Sequence, residues 1–431
     1  MKYTIAHKAR ILKYLGCVAL AAALLGWHID SRAYAVGPNG RVAGQIVVQV
    51  VAPATIADIN QTYGTTTLKG LAGTSFYLLQ ATAGADIDAV MTSMLLDIRI
   101  GLAESNFLGE PAEAGGSRFR GFAMDAAPYV GQYANTELGL LQAQQLSRGA
   151  NIVVAVVDTG IWLAHSNLAN RLTAARMDFI DGDTVPNDVG NGLDDDGDGE
   201  VDEMTGHGTH VAGIVHLVAP DARIMPVRVL NSDGIGDEFT IAQGVAYAAD
   251  NGARVINLSL GTSAQAKMLR EVIKSASRQG VIVVAAAGNS ATDQQQHPAA
   301  GSCAIAVTAV GPGGVKPAFA NFGSWIGVAA PGESIYSTMP NNGYAWWSGT
   351  SMATPFVAGD AALMLSVRPR LNAQDMDKLI VGTATSIDAQ NPAFVGKLGG
   401  GELNILGSLQ QALANNIPNV GGGHLISGGC N

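Results

Sequence analysis

The sequence predicts an α/β protein whose main domain is an open parallel sheet with helices on both faces. From residue 136 onward, apolar strands rich in Val, Ile and Ala alternate with helical stretches. Strands buried on both faces have nearly continuous apolar sequences, so this alternation favours a parallel sheet. A shorter segment with strand and helix patterns precedes it, which predicts a small α+β module before the main domain.

Composition is consistent with two folded units and excludes one class of partner. The chain has 431 residues, of which 48% are hydrophobic and 14% charged, so a sizeable core is expected and there is no signature of disorder. The formal net charge is −10. This acidic balance argues against nucleic acid as a main partner.

The first 35 residues have the pattern of a secretory signal peptide. Four basic residues precede an apolar run at 15–26, and Ala33-Tyr34-Ala35 supplies a small-x-small cleavage pattern. The apolar run is short for a membrane span, so no stable membrane anchor is expected after cleavage. We therefore expect a secreted protein, extracellular or periplasmic.

Cysteine usage is sparse. Cys17 lies within the predicted signal peptide, and Cys303 and Cys430 remain after its removal. Export permits a disulfide between these two, but the sequence leaves their pairing open.

Residues 36–107 have the pattern of a small ferredoxin-like module with a β-α-β-β-α-β character. Strand patterns occur at 45–51, 75–81 and 98–103, and helical patterns at 56–63 and 86–96. The following segment, 108–131, is rich in Gly, Ala and Pro and has no apolar periodicity. It is predicted to be an exposed linker, where proteolysis concentrates.

The main domain is predicted to span residues 132–414, followed by a Gly-rich tail at 415–431. Continuous apolar strands are predicted at 151–157, 224–229, 255–258, 281–286 and 304–310, and helices at 137–146, 208–218, 239–250 and 267–279. A further helix is predicted from Ser351 to Leu365. Pro355 is expected near its start, where proline does not break a helix.

Three short motifs end a predicted strand or begin a predicted helix: Asp158-Thr159-Gly160, Gly206-His207-Gly208-Thr209-His210 and Gly349-Thr350-Ser351-Met352-Ala353. Ligands of open parallel sheets bind beyond the carboxyl ends of the strands. A hydroxyl, an imidazole that takes its proton and a carboxylate that orients the imidazole are the parts of a nucleophilic catalyst.

Each motif alone has other interpretations. Asp-Thr-Gly also occurs in aspartic proteases, but those need two such aspartates and this chain has one copy. His207 and His210 have the i, i+3 spacing of a metal pair, but a third ligand and the metalloprotease Glu are missing. Ser351 alone would be read as a helix N-cap.

Together, in the order Asp…His…Ser, the motifs closely resemble those of the subtilisin-like serine proteases (subtilases), over about residues 136–413. The resemblance implies that Asp158 orients the imidazole, that His207 acts as general base and then acid, and that Ser351 is the nucleophile. It leaves His210 as a packing residue.

The resemblance also implies an oxyanion donor and a substrate cleft. Asn289, in the sequence Ala-Ala-Gly-Asn-Ser, is the expected side-chain donor to the oxyanion. One edge segment is expected to pair with an extended substrate, a glycine-containing rim to face it, and small residues to line the primary pocket. The corresponding substrate-binding residues are Ser259, Leu260, Gly261, Gly234, Ala287 and Gly288.

The implied function is that of a secreted serine endopeptidase that hydrolyses polypeptides through an acyl-enzyme, acts as a monomer and needs no cofactor for catalysis. Residues 36–107 would be a propeptide that acts as chaperone and intramolecular inhibitor and is released by self-cleavage in the linker. The alternative is a catalytically inactive, secreted binding protein on the same fold. The presence of Asp158, His207, Asn289 and Ser351 together favours the enzyme.

An acidic segment precedes His207. Asp194, Asp196, Asp198 and Asp202, with Gly199, follow the first part of a calcium-binding loop, but Thr205 stands where the closing Glu would be. A solvated acidic loop is the alternative. Repulsion between so many like charges favours a bound cation, so Ca²⁺ is expected as a structural ion.

Overall fold

The computed structural model describes residues 40–111, 113, 119–420, 425, 426 and 428–430. The predicted signal peptide, 1–35, lies outside the described residues. Parts of the predicted linker and of the Gly-rich tail also lie outside them.

The N-terminal module has the predicted β-α-β-β-α-β order. Its elements are β1 Arg41–Val50, α1 Ile56–Tyr63, β2 Thr65–Gly70, β3 Phe76–Ala81, α2 Ile87–Leu95 and β4 Ile100–Gly109. The strands are antiparallel in the order β2-β3-β1-β4. Both helices begin at a side-chain cap, Thr55 and Asp86. Strand β4 runs six residues beyond the predicted end at residue 103.

The segment 108–131 contains regular structure that its sequence did not predict. A short strand, β5 Arg120–Ala123, and a helix, α3 Ala127–Gly131, lie within it. The strand pairs antiparallel with residues 343–347, more than 200 residues further along the chain. Because the partner lies so far away in sequence, local periodicity carries no signal for this strand.

The strands of the main domain are β6 Val153–Asp158, β7 Met177–Asp178, β8 Arg223–Arg228, β9 Gly236–Asp237, β10 Val255–Leu258, β11 Ile282–Ala286, β12 Ala304–Val310, β13 Val328–Pro331, β14 Ile335–Met339 and β15 Gly343–Trp347. Seven of them form a parallel sheet of order β13-β12-β11-β10-β6-β8-β7, around which this α/β domain is built. Its helices are α4 Tyr133–Glu137, α5 Leu140–Leu146, α6 His207–Val218, α7 Glu238–Asp250, α8 Lys267–Arg278, α9 Thr350–Val367, α10 Ala373–Thr383 and α11 Ile405–Leu413.

Helix α9 is the central helix of this domain. Residues 350–365 of this helix are all buried, because its sequence is apolar or small on every side. Pro355 is the sixth residue of α9, deeper in the helix than its sequence position predicted. Proline cannot donate to the carbonyl four residues earlier, which belongs to Ser351. The Ser259 hydroxyl donates to that carbonyl at 2.9 Å, so the missing helix bond is replaced.

Cys303 and Cys430 form a disulfide that joins the residue before β12 to the C-terminal segment. This settles the pairing that the sequence left open. In the part of the chain that the structure describes, no helix is both long and apolar enough to span a bilayer.

Candidate active site

The three motif residues lie together at the carboxyl ends of the parallel strands. Asp158 is the last residue of β6, His207 is the first of α6, and Ser351 is the second of α9. All three are completely buried. The apolar run of β6 ends at Asp158, so the charged residue that closes the strand meets His207 at the start of α6.

His207 is held by a carboxylate on one side. Its Nδ1 lies 2.7 Å from Asp158 Oδ1, and the Thr159 amide donates to the same oxygen at 2.7 Å. The Trp347 ring meets the imidazole edge-on, with centroids 5.3 Å apart. Burial alone lowers the pKa of His207, but the carboxylates of Asp158 and Glu113 outweigh it and raise the pKa to about 10.

His210, one helical turn later, has the opposite electrostatics. Burial lowers its pKa to about 3, because no carboxylate is among the groups that shift it. Its Nε2 lies 3.1 Å from the Ala345 carbonyl, and its ring packs against Trp347. His210 is therefore a neutral packing residue on the inner face of α6.

Ser351 does not cap its helix. The N-cap position of α9 is Gly349, and the Ser351 hydroxyl lies 2.5 Å from Glu113 Oε2 and 3.1 Å from the Ser259 carbonyl. His207 Nε2 lies 3.3 Å from that same Glu113 oxygen. The imidazole and the hydroxyl thus converge on one carboxylate oxygen.

Glu113 also engages the predicted oxyanion donor. The Asn289 side-chain amide donates to Glu113 Oε1 at 2.9 Å, and the Ser351 backbone amide donates to it at 3.2 Å. The side-chain oxygen of Asn289, Oδ1, accepts from the Thr350 amide at 2.9 Å. This bond fixes the orientation of the Asn289 NH₂ group. Gly349 leaves room for this carboxylate, since a Cβ there would overlap Glu113. Two donors therefore converge on one oxygen beside the serine, at the start of a helix.

The chain before Glu113 lies in a slot between two backbone edges. Leu108 and Gly109 pair with β9, and Glu110 exchanges backbone hydrogen bonds of 3.2 and 2.9 Å with Gly261. Pro111 approaches Gly234, where a Cβ would lie 2.9 Å from the proline Cδ. Predicted substrate-binding residues on both edges thus contact residues 110 and 111.

The remaining predicted pocket residues lie next to this slot. Ser259 contacts Ser351 through both its carbonyl and its hydroxyl, and Leu260, between Ser259 and Gly261, is buried. The Gly288 amide donates to the Thr350 hydroxyl at 3.0 Å, and the Ala287 carbonyl accepts from Asn321 at 2.8 Å. Both residues are part of the turn that carries Asn289.

Sequence reasoning missed two carboxyl groups of this site. Glu113 was treated as part of a featureless linker. Asp188 was not singled out, although it accepts four hydrogen bonds: from the hydroxyls of Thr159 and Thr209 and from the amides of Gly206 and Thr209. Asp188 thereby ties the loop after Asp158 to the start of the helix of His207. Asp188 lies 18 residues before Gly206, so no short sequence motif links it to the residues it bonds.

Three of the four predicted metal ligands lie together. Asp194, Asp196 and Asp198 each offer a carboxylate oxygen within 4.8 Å of the others, and all three are exposed. Asp202 lies outside this group, and its carboxylate accepts from the amides of Asn191 and Gly192. A set of hard carboxylate oxygens fits Ca²⁺ or Mg²⁺.

Comparison with known proteins identifies relatives of the main domain. The model of the "Subtilase family" matches residues 149–404. Thermitase of Thermoactinomyces vulgaris is 41% identical over 245 residues, which are 54% of this chain and 82% of thermitase. Subtilisin DY of Bacillus licheniformis is 38% identical over 253 residues, which are 56% of this chain and 86% of that protein.

A solved structure extends the likeness in fold. Fervidolysin of Fervidobacterium pennivorans superposes with a TM-score of 0.72, covering 89% of this chain and 63% of the fervidolysin chain. The sequence identity is 24%, so this likeness concerns the fold alone.

Proposed function

Because the chain belongs to the subtilase family and is a subtilisin-like serine endopeptidase, we propose that Asp158, His207 and Ser351 form its catalytic triad. Ser351 attacks the peptide carbonyl, and His207 takes the serine proton and later delivers it to the leaving amine. Asp158 holds the imidazole through its Nδ1 atom. Asn289 and the Ser351 amide stabilise the oxyanion. The supporting observation is that the His207 imidazole, the Asn289 side-chain amide, and the amide and hydroxyl of Ser351 all converge on the Glu113 carboxylate.

We also propose that the chain is made as a zymogen, with residues 36–107 as propeptide, 108–131 as the processing linker and 132–414 as the catalytic domain. Residues 108–110 lie in the slot as an added strand, which is how an extended substrate would bind. The Glu113 carboxylate meanwhile accepts hydrogen bonds from the proposed oxyanion donor Asn289 and from the Ser351 hydroxyl. The propeptide, together with the linker residues that follow it in the slot, would thus be an intramolecular inhibitor until a bond next to Glu113 is cut.

We propose further that the protein is secreted to the extracellular or periplasmic space, in line with the signal-like residues 1–35, and that it acts as a monomer. The Gly-rich tail at 415–431 would follow the catalytic domain. The substrates would be polypeptides. Ca²⁺ would bind Asp194, Asp196 and Asp198 as a structural ion and would steady the segment that leads to His207. No cofactor takes part in the proposed chemistry.

Ser351→Ala tests the catalytic and the zymogen proposals together. We expect casein hydrolysis to fall by about 10⁴-fold or more, because the nucleophile is lost. We also expect the purified Ser351→Ala chain to keep its N-terminal module. N-terminal sequencing of the unaltered protein should instead find a chain that starts next to Glu113.

Ser348→Ala is the matched control. Ser348 precedes the same helix, and its hydroxyl oxygen accepts from the Ser334 amide. This variant should be processed and active. Equal casein hydrolysis by the Ser351→Ala variant and the unaltered protein would reject the triad. No casein hydrolysis by the processed, unaltered protein would favour the binding-protein alternative. A normally processed Ser351→Ala variant would instead show that an outside protease cuts the linker.

A further inference from the structure

The turn that carries Asn289 has a backbone conformation that its own residues do not favour. It follows β11, and residues 287–292 form neither helix nor strand. Gly288 and Ala291 both have positive φ angles, of 99° and 54°. Glycine adopts a left-handed conformation readily, whereas alanine does so at a cost, because its Cβ crowds the following carbonyl. Contacts from outside the turn must therefore hold it in place.

The side chain of Asn321 bonds this turn on both sides of Asn289. Asn321 lies in the segment between β12 and β13 and is completely buried. Its NH₂ group donates to the Ala287 carbonyl at 2.8 Å. Its Oδ1 atom accepts from the amides of Ser290 and Thr292 at 3.0 and 3.1 Å. One carboxamide thus joins the residues before and after the proposed oxyanion donor.

The backbone of Asn321 adds to these bonds. Its amide donates to the Gly288 carbonyl at 3.0 Å, and its carbonyl accepts from the hydroxyl of Thr308 on β12. A Cβ on Gly288 would lie 2.5 Å from the Asn321 Nδ2 atom, so the carboxamide packs against a residue that has no side chain. Asn321 is therefore anchored to the parallel sheet and fitted closely to the turn.

The tip of the Asn289 side chain is held separately. Its Oδ1 atom accepts from the Thr350 amide, and its NH₂ group donates to Glu113. The bond to Thr350 sets the rotation of the carboxamide, but the reach of the NH₂ group depends on where the Asn289 Cα lies. An oxyanion donor must lie within about 3 Å of the developing charge, and a displacement of about 1 Å can cost about a hundredfold in rate.

We propose that Asn321 is a positioning residue for catalysis, which acts through Asn289 by fixing the turn from which the oxyanion donor projects. The inference rests on the proposed function, in which Asn289 stabilises the oxyanion. Because that charge develops only in the transition state, loss of the Asn321 bonds should lower kcat and leave KM nearly unchanged.

Kinetics in two backgrounds are the first test. We measure kcat and KM for Asn321→Ala, with Asn289 present and with Asn289→Ala, on a peptide p-nitroanilide that the unaltered enzyme hydrolyses. We expect kcat to fall by about tenfold or more when Asn289 is present, with KM changed by less than about twofold. In the Asn289→Ala background the fall should be less than about threefold, because the donor is already gone. Equal falls in the two backgrounds overturn the inference.

Asn391→Ala is the matched control. Asn391 is also buried, and its side chain also makes three bonds to the backbone. It accepts from the Lys316 amide and donates to the carbonyls of Gly314 and Ile387, all at 2.8 Å. This variant should lose stability but keep its kcat. A fall in kcat as large as that of Asn321→Ala would show that general loosening of the segment after β12 causes the effect, which overturns the inference.

Asn321→Asp serves where the alanine variant does not fold. It keeps the shape of the side chain and the acceptor for the amides of Ser290 and Thr292, and it removes the donation to Ala287. The charge it introduces acts in both Asn289 backgrounds. We therefore expect kcat to fall more with Asn289 than with Asn289→Ala, and equal falls again overturn the inference.

A second test needs no catalysis. In the full-length Ser351→Ala chain with isotope-labelled asparagine side chains, the NMR signal of the Asn289 NH₂ group is identified by its loss in Asn289→Ala. This signal reports the hydrogen bond of the group to Glu113. We expect Asn321→Ala to shift the signal and Asn391→Ala to leave it in place. An unshifted signal in Asn321→Ala overturns the inference.

The outcomes separate this inference from the proposed function. If Asn289→Ala alone leaves kcat unchanged, the proposed oxyanion donor is wrong and the role of Asn321 is rejected with it. If Asn289→Ala lowers kcat but Asn321→Ala acts equally in both backgrounds, the proposed function is retained and only the role of Asn321 is rejected.

Discussion

Asp188 and Glu238 are both buried carboxyl groups beside the cleft, but their surroundings differ completely. Asp188 accepts four hydrogen bonds from the loop after β6 and the start of α6. The Oε1 atom of Glu238 has no hydrogen-bond partner among the described residues, and Glu238 lines a cavity. Burial raises the pKa of both groups. The difference indicates that hydrogen bonds offset the burial of Asp188, which fixes the frame of the site, whereas the burial of Glu238 is not offset in this way.

The largest effect should come from removing the satisfied acid. Asp188→Ala leaves two hydroxyls and two amides without their acceptor, so we expect the free energy of unfolding to fall by about 3 kcal/mol. Urea unfolding in the Ser351→Ala background measures this without autolysis. In active enzyme kcat should fall more than KM rises, because the link between Asp158 and His207 is loosened. Asp250→Ala, at an exposed position of α7, is the control. A loss no greater than that of the control would contradict the role given to Asp188.

The same residue predicts how stability changes with pH. Burial raises the pKa of Asp188 from 3.8 to about 6, so the folded chain holds this proton over a pH range in which the unfolded chain has released it. The contribution of Asp188 to stability therefore falls as pH rises from about 4 to 6, by about 3 kcal/mol in all. We expect the free energy of unfolding to fall between pH 4 and pH 7 in the chain that carries Asp188. This fall should be about 3 kcal/mol larger than in the Asp188→Asn variant. Parallel pH dependence in the two chains would contradict this assignment.

Glu238 should respond in the opposite direction. Glu238→Gln keeps the shape of the side chain and removes a carboxyl group whose cost of burial is not offset by a hydrogen bond among the described residues. We expect the Ser351→Ala precursor to gain roughly 1–3 kcal/mol at neutral pH. The pKa of Glu238 is raised, so the gain should shrink as the pH falls and the folded and unfolded chains both hold the proton. A loss of stability at pH 7 would show that Glu238 has a structural partner and would remove the contrast with Asp188.

These two residues also show where sequence reasoning ends. Five of the seven strands of the parallel sheet and the motifs of Asp158, His207 and Ser351 were predictable, because continuous apolar runs and short signatures are local. The two short edge strands, β7 and β13, were not predicted. The contacts of Asp188, Glu113 and Glu238 were not, since each joins segments far apart in the chain. Strand β4 was predicted too short for the same reason. Its last residues are held by β9, more than 120 positions later.

Pro355 and Gly349 illustrate a second limit. The sequence correctly predicted a helix that begins around Ser351, but it did not tell which residue caps the helix or how an internal proline is tolerated. The answer lies in the Ser259 hydroxyl, which bonds the carbonyl that Pro355 leaves free. Such a replacement depends on the neighbouring β10 strand end, and the pattern of α9 itself does not contain it.

The smallest effect should come from a third kind of carboxylate, exposed and mutually repelling. Asp194, Asp196 and Asp198 lie close together in solvent, so a bound cation relieves their repulsion. We expect chelation with EGTA to lower the free energy of unfolding by about 1–2 kcal/mol, which added Ca²⁺ should restore. Asp196→Asn should reduce the response, whereas Asp202→Asn should leave it unchanged, because Asp202 lies outside the group of three. A response that survives Asp196→Asn but not Asp202→Asn would move the cation to the other end of this loop.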